Sequence, residues 1–120
     1  MGKLYIGVDL GGTNIVAGIV NEAGEILCKK SVKTDLPQPE YAIESKICNL
    51  CKDLCAENGY KLGEDITSIG IGTPGNVNSE TGVVGFNVNF GYIDWHLKEK
   101  IEEQISGVEV YIENDANSAV

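Results

Sequence analysis

The chain has 120 residues, 42% of them apolar and 22% charged, with a formal charge of −9 at pH 7. That balance describes one folded domain and excludes a disordered segment. The acidic excess argues against binding nucleic acid through phosphate neutralisation, and no run approaches the ~18 apolar residues that span a bilayer. The first apolar run, Leu4 to Leu10, is short and contains Asp9, unlike a signal peptide, so the chain reads as cytoplasmic.

Lys3 to Asp9 alternates and is rich in β-formers, which predicts a strand. Asn14 to Val20 predicts a second strand, Asn21 to Gly24 a turn, and Glu25 to Lys33 a third strand, giving an antiparallel meander. Pro37 and Pro39 punctuate a loop, and a helix is predicted from Gln38 to Asn58, stopped by Asn58-Gly59. Within it Cys48, Cys51 and Cys55 follow C-x2-C-x3-C, a spacing that invites a metal reading. Ile43, Ile47, Leu50, Cys51 and Leu54 recur at helical spacing, however, so the thiols read as small hydrophobes on or beside a buried stripe.

Thr67 to Gly72 predicts a short buried strand reached by a helical crossover, which favours parallel pairing with the first strand. Thr73 to Thr81 reads as a loop and Gly82 to Val88 as extended. Asp94 to Ser106 has helical spacing at Trp95, Leu97, Ile101 and Ile105. Val108 to Ile112 is another buried strand, and Asn114 to Val120 reads as a helix beginning. The predicted fold class is α/β, a mixed sheet ordered β-β-β-α-β-α-β-α with helices on its faces. The chain ends without a cap or polar tail and reads as the first half of a longer protein.

Val8 to Asn14, V-D-L-G-G-T-N, breaks the first strand into an acid, two glycines and two small polar residues. Two readings fit the spacing. One is a plain hairpin; the other is a loop whose glycines take positive φ and bring backbone N–H groups to an anion. Thr13 and Asn14 would add side-chain hydrogen bonds, and Asp9 would hold a hydrated cation. In so acidic a chain, a phosphate ligand is expected to arrive with Mg2+. The stretch is neither a Walker motif nor a dinucleotide fingerprint, because no G-K follows and the next element is a strand. Three further polar clusters, Gly72-Thr73-Pro74-Gly75, Asn87 to Tyr92 and Glu113 to Asn117, are expected at C-terminal strand ends, where α/β sheets bind ligands.

Together, D-L-G-G-T-N, G-T-P-G, N-F-G-Y and E-N-D-A-N resemble the N-terminal half of a ROK-family sugar kinase, over Lys3 to Val120. That family includes bacterial glucokinases and belongs to the superfamily of sugar kinases, heat-shock chaperones and actin. The resemblance implies an actin-like, ribonuclease H-like ATPase domain, residues 1–120 being the small domain of a two-domain enzyme. It implies that Asp9, Gly11, Gly12, Thr13 and Asn14 touch the phosphates of ATP, with Asp9 holding Mg2+ through water. Gly75, Asn89, Asn114 and Asp115 would bind the hydroxyls of a hexose, most simply glucose, and Asp115 would be the catalytic base. Asn and Asp also cap helices, but four polar groups in five positions exceed what a cap requires.

The departures from the family are Asn14, where many relatives have Lys, and Tyr92, where they have Trp; Trp95 is expected to supply comparable apolar surface. The resemblance further implies a homodimer and a structural zinc site in the half beyond Val120, without which this chain is expected to be inactive. His96 reads as surface or packing, Tyr41, Tyr60 and Tyr111 as packing, and Glu113 as either support for the site or a solvated carboxylate. The alternatives are another hexose or N-acetylhexosamine kinase, a non-sugar ATPase of the superfamily, or a sugar-sensing repressor of the same family. The repressor reading expects a DNA-binding domain ahead of the first strand.

Overall fold

The computed structural model describes residues 3–86 and 90–114. Alternation of Ile6, Val8 and Leu10 with Tyr5, Gly7 and Asp9 gives the first strand one buried face. β1 (Leu4–Leu10) runs antiparallel to β2 (Asn14–Asn21), from Leu4 opposite Asn21 to Leu10 opposite Ile15. In this register Ile6, Val8 and Leu10 share one buried face with Ile15, Ala17 and Ile19. The Asn21 side-chain oxygen accepts the N–H groups of Ala23 and Glu25, closing the turn into β3 (Ile26–Lys33). β3 pairs antiparallel with β2 through a bulge at Ile19 and Val20.

α1 (Glu40–Glu57) then crosses over, and β4 (Ser68–Thr73) returns parallel to β1, as the crossover predicts. The helix starts two residues later than predicted because the Pro39 carbonyl accepts the first helical N–H groups, those of Ala42 and Ile43. It ends at Asn58, whose side chain donates to the Leu54 carbonyl, with Gly59 at positive φ. Its inner stripe is Ile43, Ile47, Leu50 and Leu54, joined by Cys48, Cys51 and Cys55. The hydrophobic reading of the cysteines therefore holds. Burial pushes the Cys48 thiol up to about 11 and the Cys51 thiol higher still.

The region after β4 differs from the sequence reading. β5 (Asn76–Asn78), β6 (Val83–Phe86) and β7 (Ile93–Trp95) form a separate antiparallel sheet in that order. Asn76 to Asn78 was expected in a loop, and Asp94 and Trp95 in a helix. Asp94 has φ +51, outside the helical region, and Trp95 is buried by pairing opposite Val84 rather than by a helical stripe. The helix begins only at α2 (Leu97–Gln104), with Leu97 and Ile101 buried. His96 precedes it on the surface, its Nδ1 3.8 Å from the Glu99 carboxylate, in keeping with the reading made of it.

β8 (Glu109–Asn114) pairs parallel with β4 and completes a five-stranded sheet ordered β3-β2-β1-β4-β8. Along its outer edge the Val110 N–H donates to Glu102, and Lys98 donates both to the Val110 carbonyl and to Glu102. Two side chains of α2 thus stand where another strand would pair. Residues 115–120, where a helix was expected to begin, lie outside the described residues, and Asn114 itself closes the strand. Among the described residues no helix is long and apolar enough to cross a membrane.

The core lies between the sheet and the two helices and is built from Ile6, Leu10, Ile19, Ile47, Ile69, Ile71, Ile101 and Ile112, among others. Tyr60 packs against it, as expected. Tyr41 and Tyr111 do not: they are 72% and 49% exposed, Tyr41 on the outer side of α1 and Tyr111 on the opposite sheet face from Val110 and Ile112. That opposite face is floored by glycine. Gly18, Gly7 and Gly70 lie side by side on β2, β1 and β4, and the groove above them encloses about 490 Å³.

Candidate functional site

Three parallel strands deliver their C-terminal ends to one edge of the sheet. Asp9 on β1 is in register with Gly72 on β4, and Gly72 with Glu113 on β8; one residue further, Thr73 faces Asn114. Asp9, Gly72 and Glu113 line the same groove. Two interstrand steps separate the carboxylates' Cα atoms by about 10 Å, and the glycine between them contributes no side chain. Ser79, just after β5, donates to Glu113 across 3.1 Å, so this carboxylate is tied to the small sheet rather than merely solvated.

The glycine turn between β1 and β2 is held from inside. The Gly11 N–H donates to the Asn14 carbonyl at 3.0 Å. The buried Thr34 donates its hydroxyl to the Gly11 carbonyl at 2.8 Å and its N–H to the Thr13 carbonyl at 2.9 Å. Neither Gly11 nor Gly12 takes the positive φ that was expected. Glycine is required at position 11 for a different reason: a Cβ there would lie 2.8 Å from the Asn14 carbonyl oxygen. Thr13 and Asn14 are exposed, and the N–H groups of Gly12 and Thr13 donate to no acceptor among the described residues. N–H groups without an acceptor among the described residues, beside small hydroxyl and amide side chains, suit an anion. The exposed Asp9 carboxylate, with open space toward Glu113, offers the hard oxygen ligands that a hydrated Mg2+ takes. The residues present fit both groups.

The turn after β4 needs glycine for its conformation, since Gly75 has φ +106. Its carbonyl accepts the side-chain amide of Asn114 at 2.6 Å. The structure thus brings together Asp9, Gly11, Gly12, Thr13, Asn14, Gly75 and Asn114. Asn89 and Asp115 lie outside the described residues, directly beside Phe90 and Asn114.

Asn89 is followed in the chain by an aromatic cluster. Tyr92 meets Trp95 edge-on at 5.0 Å, and Phe90 lies 5.6 Å from Tyr92 and 6.1 Å from Trp95. Tyr92 donates its hydroxyl to the Gln38 carbonyl, and burial, with Glu40 and Glu44 nearby, raises its pKa. Trp95 is 2% exposed and donates Nε1–H to Glu44 at 2.7 Å. It is sealed in the core and does not present the apolar surface expected of it. The sequence reading passed over Thr34, Ser79 and Glu44. Thr34 and Ser79 carry no local signal, but Glu44 is an acid on the apolar stripe, one turn before Cys48, and that mismatch was visible.

A glucokinase of Streptomyces coelicolor is 43% identical over 97% of this chain, which covers 34% of that protein's length. The solved structure of a ROK family glucokinase from Streptomyces griseus, in complex with glucose and AMPPNP, is 38% identical with a TM-score of 0.81, over 95% of this chain and 34% of the other. A ROK family transcriptional regulator, a homolog of the E. coli MLC protein, superposes with a TM-score of 0.82 at 20% identity, over 96% of this chain and 28% of that one, and shares the fold. The chain spans about a third of the length of the curated relatives it matches. Residues 5–120 match the ROK family along nearly the whole sequence, and the chain belongs to that family.

Proposed function

We propose that the full-length protein transfers the γ-phosphoryl group of ATP to a hexose hydroxyl, with glucose the first candidate, and that this chain is its N-terminal domain. The observation that carries the reading is the shared edge of β1, β4 and β8, where a turn whose Gly12 and Thr13 N–H groups meet no acceptor among the described residues adjoins the bonded pair Gly75 and Asn114. The similarity to glucokinases supports it.

In this reading the Gly12 and Thr13 N–H groups and the Thr13 and Asn14 side chains hold the nucleotide phosphates. Asp9 would hold Mg2+, which when bound would supply charge neutralisation on those phosphates. Gly75, Asn89 and Asn114 hold the sugar hydroxyls. Asp115 orients the attacking hydroxyl and accepts its proton as the bond to phosphorus forms. In this reading the protein works in the cytoplasm as a homodimer.

The test is ADP release by the purified full-length protein with MgATP and glucose, mannose, fructose or an N-acetylated hexosamine. Sugar-dependent ADP release is expected with glucose among the best acceptors. Sugar binding without ADP release would favour a sensing role, and turnover indifferent to every sugar would favour an ATPase of another kind.

A further inference from the structure

Thr34, the residue after β3, is fully buried, and a valine would fill its place with much the same shape and no polar atom to satisfy. Its hydroxyl is in use. It donates to the Gly11 carbonyl at 2.8 Å, while the Thr34 N–H donates to the Thr13 carbonyl at 2.9 Å. One residue thus grips the turn between β1 and β2 at two carbonyls.

The grip has a direction. A peptide unit is planar and trans, so its C=O and its N–H point opposite ways. The Gly11 carbonyl belongs to the same unit as the Gly12 N–H. With that carbonyl drawn inward to a buried hydroxyl, the Gly12 N–H is turned outward, where it meets no acceptor among the described residues. This outward N–H is one of those the proposed reading gives to the nucleotide phosphates.

An anchor must itself be fixed, and the chain on either side of Thr34 is. Lys46 of α1 donates to the Lys33 carbonyl at 3.1 Å, and the Gln38 side chain donates to the Asp35 carbonyl at 2.8 Å. The Gln38 carbonyl in turn accepts the Tyr92 hydroxyl. Asp35 takes φ +55, a left-handed conformation that costs a non-glycine residue free energy and persists where its surroundings impose it. None of these partners is assigned to phosphate, cation or sugar, so the anchor is built without them.

From this we infer that Thr34 is a positioning residue for the nucleotide: by holding the Gly11 carbonyl inward it aims the Gly12 N–H at the phosphates, without touching them itself. The inference rests on the hexose kinase reading. It predicts a selective effect, because Gly75 and Asn114 are joined by a hydrogen bond of their own in which Thr34 takes no part.

The test compares Thr34→Val with Thr34→Ser in the full-length protein. Valine keeps the shape and removes the donor; serine loses a methyl group and keeps the donor. Without the hydroxyl the turn spends part of its time with the Gly12 N–H aimed elsewhere, and nucleotide affinity falls with the competent fraction. Thr34→Val is expected to raise the KM for ATP by about fivefold, the order of one lost hydrogen bond, with the KM for glucose and kcat within about twofold of wild type. Thr34→Ser should restore most of the KM for ATP.

Two further arms need no turnover. Calorimetric titration with MgADP, without sugar, should show the same weakening in Thr34→Val and the same recovery in Thr34→Ser. Amide hydrogen exchange in ligand-free Thr34→Val should quicken by about fivefold or more at Gly11, whose N–H is bonded to the Asn14 carbonyl, and stay unchanged from Ile47 to Leu54 in α1. An unchanged KM for ATP in a folded Thr34→Val protein would overturn the inference, as would equal rises in both KM values, unchanged exchange at Gly11, or a serine variant as impaired as the valine one. If Thr34→Val melts below the assay temperature, Thr34→Cys, which keeps the size with only a weak donor, is judged by the same criteria. A wild-type protein that binds MgADP but phosphorylates no hexose overturns the functional reading and leaves the titration to decide the role of Thr34. One that binds no MgADP overturns both.

Discussion

Asn114 donates its side-chain amide to the Gly75 carbonyl across 2.6 Å, joining the last residue of β8 to the turn after β4. Two of the residues assigned to the sugar, Gly75 and Asn114, are therefore one mechanical unit. Asn114→Ala in the full-length protein is expected to lose a ligand and to release the Gly75 turn together. The glucose KM should rise by about tenfold or more, with a modest loss of stability. Steady-state kinetics beside a thermal melt check this; an unchanged KM with a lowered Tm would leave the bond a purely structural one.

Gly11→Ala tests the other turn. The added methyl would stand 2.8 Å from a main-chain oxygen, which cannot rotate away as a side chain would. The turn must open to accept it, at a cost of about 1–3 kcal/mol. On the proposed reading the KM for ATP rises while that for glucose stays within about twofold. A normal KM for ATP would return this stretch to a plain hairpin.

Asp115→Asn separates chemistry from capping. Asparagine caps a helix about as well as aspartate, so folding should survive. It cannot accept the hydroxyl proton, and kcat at saturating glucose and MgATP should fall by ~10²–10⁴-fold. A folded variant that keeps more than about a tenth of wild-type kcat is incompatible with the base role.

Glu102 gives a pH-dependent prediction. Burial raises its pKa, but donation by Lys98, the Val110 N–H and the Lys98 charge together outweigh burial and hold it below the usual carboxylate value of 4.5. A depressed folded value means that the ionised form stabilises the fold above that range. The contribution is lost as pH falls through the folded value. Glu102→Gln should cost about 1 kcal/mol at pH 7. The gap from wild type should close as the pH falls below 4.5, which denaturation curves across that range will reveal. A gap that stays constant with pH would mean that the carboxylate's charge contributes nothing.

The five-stranded sheet was legible because its signals are local and agree. Alternation in β1, the apolar run of β2, the Asn21 turn and the helical stripe of α1 each point to the same fold, and the crossover dictates the parallel return of β4. Of the small sheet only β6 was legible, within the extended stretch from Gly82; β5 and β7 were not, because they are three residues long. Trp95, Leu97, Ile101 and Ile105 also satisfy a helical period, and only the contact with Glu44 and Val84 shows why Trp95 is buried. At the site, the glycine and asparagine motifs announced themselves as irregularities in apolar runs. Thr34, 23 residues from the Gly11 carbonyl it holds, had no such context. The need for glycine at position 11 was foreseen with the wrong reason attached, since close approach of a carbonyl leaves the same mark in a sequence as positive φ.

The shared register of β1, β4 and β8 also works as a graduated scale. The intervals between the turn after β1, the turn after β4 and the end of β8 are set by main-chain hydrogen bonds, in steps of about 4.8 Å, whatever side chains stand there. Exchanging residues at these three places changes what is held and leaves the spacing alone. Altering the spacing would require a slip of register, and a slip of one residue turns every side chain of a strand to the opposite face, emptying the core built on Ile6, Ile69 and Ile112. On the proposed reading, ligand preference is thus easily revised in this fold, and the distance between the proposed binding positions hardly at all.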